Sequence, residues 1–282
     1  MKSRIITSLI AIPPIVISVW VGGYLYLFAM ISIAGVGAYE TSKMTRLRGI
    51  PSHPKMSFLV AIITVFLSFI LTESDNLTYS YSFVLISTAA ISVVWLTINK
   101  PTDSTFLNTM VGTICPAFYV GGFMGFAILL RELPYGMEWV FILLIATWST
   151  DTSALIIGKA IGKTPFFPYL SPKKTLEGAW AGLISGIFAS LISYMVFNAI
   201  GLRLFKSIWG FDEFGYLTAL LLGIILGISS QMGDLFESLI KRRAGVKDSS
   251  KLMGPHGGVL DRIDSIVFNL FVLYYFIQWM GN

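Results

Sequence analysis

Asp151 stands inside an apolar run, WSTDTSALIIG, flanked by Ser149, Thr150, Thr152 and Ser153. An ionised carboxylate at bilayer depth is costly unless it is paired or coordinated, so such a residue marks a site or a hydrogen-bonded seam between helices. Downstream, Lys159 and Lys163 are spaced i, i+4 and are expected on one helix face. Ser171-Pro172-Lys173-Lys174-Thr175 then precedes Glu177-Gly178. Four lysines with no acid among them suit a polyphosphate, and Ser171 and Thr175 add hydroxyl donors near a helix start. Topogenic charge accounts for the same lysines equally well at this point.

A second group follows in LTALLLGIILGISSQMGDLFESLIKRR. Ser230, Asp234, Glu237, Ser238 and Lys241 recur at steps of three and four and line one face of a helix whose other face is Leu and Ile. From Lys241 to Arg262 there are six bases, Lys241, Arg242, Arg243, Lys247, Lys251 and Arg262, and two acids, Asp248 and Asp261. Gly254, Gly257 and Gly258 allow backbone amides to approach an anion, and His256 sits beside them as a phosphate donor or general base. Asp261 and Asp264, three apart, share a face at the start of the last segment. Carboxylates would hold a hard cation such as Mg²⁺ through oxygen, and the bases would hold phosphate oxygens. The sequence contains no GxxxxGK[ST] loop, HExxH helix or serine nucleophile elbow.

These residues need a membrane scaffold. Only 12% of the 282 residues are charged, 55% are hydrophobic and mean hydropathy is +0.76. Soluble domains carry about 25% charge, so a water-soluble enzyme, a disordered chain and a nucleic-acid binder are excluded despite a net charge of +5. The single Cys115 excludes a disulfide framework and a cysteine-based zinc site. Apolar runs of helical length fall at 5–21, 22–39, 57–72, 81–98, 107–130, 139–158, 177–200, 216–240 and 263–281, the first pair parted only by Gly22-Gly23. The expected fold class is therefore all-α: a polytopic integral membrane protein of about nine transmembrane helices, with the N-terminus cytoplasmic and the C-terminus outside. Of the 20 Lys and Arg, only Arg131, Arg203 and Lys206 then fall outside, as the positive-inside rule requires. Lys2 and Arg4 ahead of the first run read as flanks of a retained anchor. The inner stretches at 40–56, 159–176 and 241–262 are expected as loops, the first as a basic juxtamembrane loop attracted to anionic lipid. Residues 1–110 are expected to form a scaffold with a role in oligomer contact, and 111–282 a catalytic region whose active site faces the cytoplasm.

The pattern Ser238-x₂-Lys241-Arg242-x₄-Lys247-Asp248-x-Ser250-x₂-Met253-Gly254-x-His256-Gly257-Gly258-Val259-x-Asp261-Arg262-Ile263-Asp264 resembles the signature of phosphatidate cytidylyltransferases, or CDP-diacylglycerol synthases. Gly233-Asp234-Leu235-x-Glu237-Ser238, Asp151-Thr152, Gly158-Lys159-x₃-Lys163 and Ser171-Pro172-Lys173-Lys174-Thr175-x-Glu177-Gly178 resemble the same family. The likeness spans about residues 148–265, with Met253 where Leu, Ile or Phe is expected. It implies Mg²⁺-dependent transfer of CMP from CTP to phosphatidic acid in the cell membrane, with pyrophosphate released, and leaves room for a second cation. It also implies Asp234 and Asp261 as metal ligands, with Asp264 and Asp151 as further ones. Lys159, Lys163, Lys173, Lys174, Lys241, Arg242, Lys247 and Arg262 would grip the two anions. Asp248 and His256 join the catalytic set, and Ser171, Thr175, Glu237, Ser238, Gly257 and Gly258 the substrate-binding set. A homodimer is the assembly entertained. The competing readings are a CTP-dependent polyprenol or phytol kinase, an ether-lipid cytidylyltransferase, and a transporter using Asp151, Asp234 and Glu237.

Overall fold

The computed structural model describes residues 2–73, 77–99, 105–200, 215–254 and 257–281. Its helices are α1 (Lys2–Val21), α2 (Gly23–Leu47), α3 (Pro54–Ile70), α4 (Leu77–Asn99), α5 (Phe106–Ala117), α6 (Phe123–Glu132), α7 (Gly136–Ile161), α8 (Leu176–Ala199), α9 (Gly215–Arg243) and α10 (Leu260–Gly281). A bilayer offers backbone amides no water, so long apolar runs satisfy them internally as helices. Among the described residues, six stretches are long and apolar enough to cross: Gly23–Leu47, Tyr81–Ile98, Phe106–Glu132, Gly136–Ile161, Leu176–Ala199 and Gly215–Arg243. The chain is a polytopic membrane protein. Phe106–Glu132 is one element with a π-turn at Phe118–Gly122, just after Pro116, whose missing N–H weakens the α ladder.

Two expectations about the inner stretches change. Helix α2 continues through the presumed basic loop to Leu47, because nothing in ETSKMTRL stops a helix before Gly49. There, Gly49 N donates to Arg46 O at 3.0 Å and Ile50 N to Thr45 O at 3.3 Å, a Schellman closure that needs the positive φ of glycine (87°). Gly245 (φ 71°) ends α9 in the same way, through Gly245 N to Arg242 O and Val246 N to Lys241 O. The second change is one short hairpin in an otherwise all-α fold. Strands β1 (Pro165–Phe167) and β2 (Ser171–Thr175) pair antiparallel between α7 and α8. Helix α7 ends at Ile161, before Gly162 and the Thr164-Pro165 bond, where proline disfavours a helical predecessor. Lys163 is therefore off the helix and does not share a helical face with Lys159.

The chain forms two compact units. The first comprises Met1–Met137 and Leu239–Ile263. In it α2 packs on α3, with Ala34, Ala38, Ala61 and Val65 fully buried. Small residues set the separation: a Cβ on Gly121 would lie 2.6 Å from Ala61 Cα. Ser42 Oγ donates to Gly112 O (3.2 Å) and Tyr26 OH to Ala127 O (3.2 Å), tying α2 to the α5–α6 element.

The second unit comprises Glu138–Ser238 and Asp264–Asn282. Gly178, Gly182 and Gly186 recur every fourth residue on α8 and lie against α7 and α9. An added Cβ would come 2.7 Å from Ala154 O at Gly178 and 2.9 Å from Thr150 O at Gly182. Gly223 and Gly227 of α9 meet α8 at Ile187 and Leu183. In lipid, helices associate through such small-residue contacts and interhelical hydrogen bonds rather than through a hydrophobic driving force. Here the bonds are Ser153 Oγ to Ser185 Oγ (2.8 Å), Gln231 Nε2 to Ala179 O (3.0 Å) and Asn269 Nδ2 to Thr147 Oγ1 (2.7 Å). Gly182→Val should therefore destabilise the detergent-purified protein by about 1–3 kcal/mol, read as a lower unfolding midpoint. Ile184→Val, on the exposed side of α8 (51% exposed), should leave the midpoint unchanged.

Candidate active site

In the second unit, a cavity of about 580 Å³ is walled by α7, the β1–β2 hairpin, the start of α8 and α9. Of the residues singled out from sequence, Asp151, Lys159, Ser171, Lys173, Lys174, Thr175 and Asp234 line it. The hairpin places β2 at the cavity wall, and two side chains secure its base. Thr175 Oγ1 accepts from Gly178 N at 3.2 Å as the N-cap of α8, so Thr175 contributes a helix cap as well as a wall. Glu177 reaches back to accept from Thr164 N at 3.1 Å and Thr164 Oγ1 at 2.9 Å. Lys163, beside that turn, is exposed.

The acids have defined partners. Asp151 Oδ1 accepts from Ser230 Oγ at 3.1 Å and lies 3.5 Å from Ser265 Oγ. Lys174 Nζ forms an ion pair with Asp234 Oδ2 at 2.6 Å, and Ser238 Oγ lies 3.5 Å from Asp234 Oδ1. Asp234, Glu237 and Asp264 each present a carboxylate oxygen within 4.8 Å of the others. Glu237 is fully buried. Three carboxylates so close repel one another unless a cation or protons intervene, and an all-oxygen donor set suits a hard divalent ion. The cluster could hold such a metal. Glu237 entered the sequence reading as a substrate-binding residue, and the fold sets it among these carboxylates.

The first unit holds the glycine-rich segment that follows α9. Lys241 Nζ pairs with Asp261 Oδ1 at 2.7 Å. Asp261 Oδ2 accepts from Ser249 N (2.8 Å), Ser249 Oγ (2.7 Å) and Gly258 N (2.8 Å). The Asp261 carboxylate is thus the hub of the segment. Arg242, Lys247, Asp248 and Arg262 are exposed around it, and His256 lies outside the described residues.

Glu40, on α2, was missed from sequence. It looked like one acid in a basic juxtamembrane stretch, yet it is only 2% exposed. Its Oε1 accepts from Ser250 Oγ (2.5 Å) and Val259 N (3.2 Å), and its Oε2 from Leu260 N (2.9 Å) and Ser249 Oγ (3.2 Å). A carboxylate on the first amides of α10 satisfies donors the helix leaves open and meets the positive end of its dipole. A Cβ on Gly258 would fall onto Glu40 and Ser249 oxygens, so a side chain there would have to displace this hydrogen-bond array. The only available signal was an acid amid bases beside an apolar helix. Replacing Glu40 with Gln substitutes a donor for one acceptor against an array of donors. Glu40→Gln should leave the helices intact but raise backbone hydrogen exchange across 249–260 by ~10-fold or more, the scale of losing a charged hydrogen bond. Unchanged exchange there would exclude this bracing role.

A family model for the "Cytidylyltransferase family" matches residues 2–280. The chain is 30% identical over 281 residues to the phosphatidate cytidylyltransferase of Bacillus subtilis, covering 98% of this chain and 97% of the relative. It is 27% identical over 293 residues to that of Synechocystis, covering 97% and 95%. It is 44% identical over 140 residues to an uncharacterized Escherichia coli protein, covering 50% and 42%. The match runs through the N-terminal helices as well as the motif-bearing half, and the chain belongs to the cytidylyltransferase family.

Proposed function

We propose that this protein is a phosphatidate cytidylyltransferase, transferring CMP from CTP to phosphatidic acid to give CDP-diacylglycerol and pyrophosphate. The observation that carries this reading is a cavity bearing lysines and aspartates that shares wall residues with an apolar groove. The cavity is lined by Lys159, Lys173, Lys174, Asp151 and Asp234 among apolar residues. An adjoining groove of about 300 Å³ shares Phe166, Ala179 and Gln231 with it and is walled by Trp180, Leu183, Ile228 and Met232. A phospholipid needs both environments: phosphate among cations, acyl chain among apolar side chains.

The lipid phosphate is already anionic near neutral pH, so its oxygen needs no strong base to attack the α-phosphorus of CTP. A new P–O bond forms there as the bond to the β-phosphate oxygen breaks and pyrophosphate leaves. The barrier lies in bringing two anions together and in neutralising the leaving group. Lys159, Lys173 and Lys174 supply positive charge at the cavity wall, with Ser171 and the Thr175 hydroxyl as neutral donors. Asp234, Glu237 and Asp264 would hold Mg²⁺, with Asp151 orienting the neighbouring hydroxyls of Ser230 and Ser265. The ion supplies charge neutralisation on the phosphates when bound. Asp261 acts by holding Lys241 and Ser249 and shaping the glycine-rich segment, on which Arg242, Lys247, Asp248 and Arg262 remain candidates for phosphate contact.

We also place nine membrane crossings, with the N-terminus and the active site on the cytoplasmic side and the C-terminus outside. The asymmetric distribution of Lys and Arg supports this orientation.

Purified protein given phosphatidic acid, Mg²⁺ and CTP labelled in the α-phosphate should move label into the lipid fraction. A kinase would instead transfer only the γ-phosphate, and the α-label would stay in water-soluble CDP. Glu237→Gln should lower turnover about 10- to 100-fold, as loss of metal support commonly does. The same variant should weaken Mn²⁺ binding followed by electron paramagnetic resonance. Full turnover with unchanged Mn²⁺ binding would remove Glu237 from the metal centre.

A further inference from the structure

In the first unit a second cavity, of about 420 Å³, opens where α2 ends and α3 begins. None of its residues belongs to the sequence motifs of the transferase site. Arg46, His53 and Lys55 contribute cationic or N–H donor groups, and among the described residues no Asp or Glu lines it. Helix α3 starts inside this wall. Pro54 occupies its first turn, and His53 at the N-cap makes no side-chain capping bond. The positive end of a 17-residue helix therefore adds to the cations. The rest of the wall is apolar: Met56, Leu59 and the ring of Trp95, which stands edge-on to His53 with centroids 5.6 Å apart. Leu59 is 52% and Trp95 37% exposed.

We propose that this cavity is a binding site for an anionic phospholipid, separate in its residues from the substrate site. The phosphodiester would sit between Arg46, Lys55 and the His53 ring at the start of α3. The glycerol and the first part of an acyl chain would lie along Trp95, Met56 and Leu59. Topogenic charge explains why bases gather at this end of α2, but it does not explain the cavity. Lys43 and Arg48 are equally basic and exposed in the same stretch yet do not line it. A free phosphate would gain from the cations and the helix end but would leave the aromatic and aliphatic wall unused. A lipid headgroup with its chains uses both, as basic pockets between membrane helices do, and a tryptophan at the boundary suits that depth.

The test is lipid retention by the full-length protein, independent of cytidylyl transfer, so its failure leaves the proposed reaction untouched. The protein is reconstituted in nanodiscs of equal parts phosphatidylcholine and phosphatidylglycerol, then released into detergent, and its bound lipids are weighed by native mass spectrometry. The wild type should retain phosphatidylglycerol in preference to phosphatidylcholine. Arg46→Gln/Lys55→Gln should lower that retention about tenfold or more, the order expected for removing two cations from a membrane-surface site. Lys43→Gln, which removes a neighbouring charge outside the cavity, should leave it unchanged. Equal retention by the double variant and the wild type would refute the site, and equal loss in Lys43→Gln would reduce it to diffuse surface charge. Displacement of the lipid by millimolar inorganic phosphate would reassign the cavity to a soluble anion and overturn the lipid assignment. Should the double variant misfold, Lys55→Gln alone, an exposed side chain at the start of α3, serves instead: wild-type retention there also refutes the proposal.

Discussion

A carboxylate set in a nearly uncharged helical scaffold must be met by cations, donors or a metal, and this requirement organises both units. In the first, Asp261 is met by Lys241, Ser249 and the Gly258 amide, and Glu40 by two hydroxyls and the first amides of α10. Removing one partner from such a set strands a buried charge, which typically costs about 3–5 kcal/mol. The glycine-rich segment, which has little apolar surface to bury, is therefore ordered by charge rather than by packing. In the second unit Lys174 meets Asp234, while Asp234, Glu237 and Asp264 converge closely enough for a cation to be the natural counter-charge.

Such arrangements need walls that do not drift, and the helices provide them by approaching closely. Glycines every four residues on α8 remove the side chains that would keep α7 and α9 away. The charged cavity and the apolar groove share Phe166, Ala179 and Gln231 in their walls. For the proposed transfer between a water-soluble nucleotide and a lipid, that shared wall matters more than any single side chain. The hairpin carries Ser171, Lys173 and Lys174 to the cavity wall.

Much of this was legible in the chain. Apolar runs marked helices because bilayer and backbone impose one solution, and the acids within them stood out because lipid penalises stray charge. The lysines around the hairpin and the carboxylates of α9 were recognisable by type and spacing, and the extended pattern through Asp264 pointed to the family. The hairpin was not legible: its strands are short, contain Pro165 and Pro172, and carry no alternation of apolar and polar residues. Nor was the continuation of α2 to Leu47, because basic residues after an apolar run read equally as a loop or as a helix end.

Composition, charge asymmetry and motif spacing by themselves determined a membrane protein of this family and a set of candidate residues, because each of those signals is local or additive along the chain. Only the tertiary structure decided which acids lie together. Glu237 joins Asp234 and Asp264, Asp261 braces a loop with Lys241, and Glu40 caps a helix more than two hundred residues away. The role of a carboxylate depends on what lies within about 3 Å of its oxygens, and no periodicity along one chain encodes a neighbour supplied by another helix.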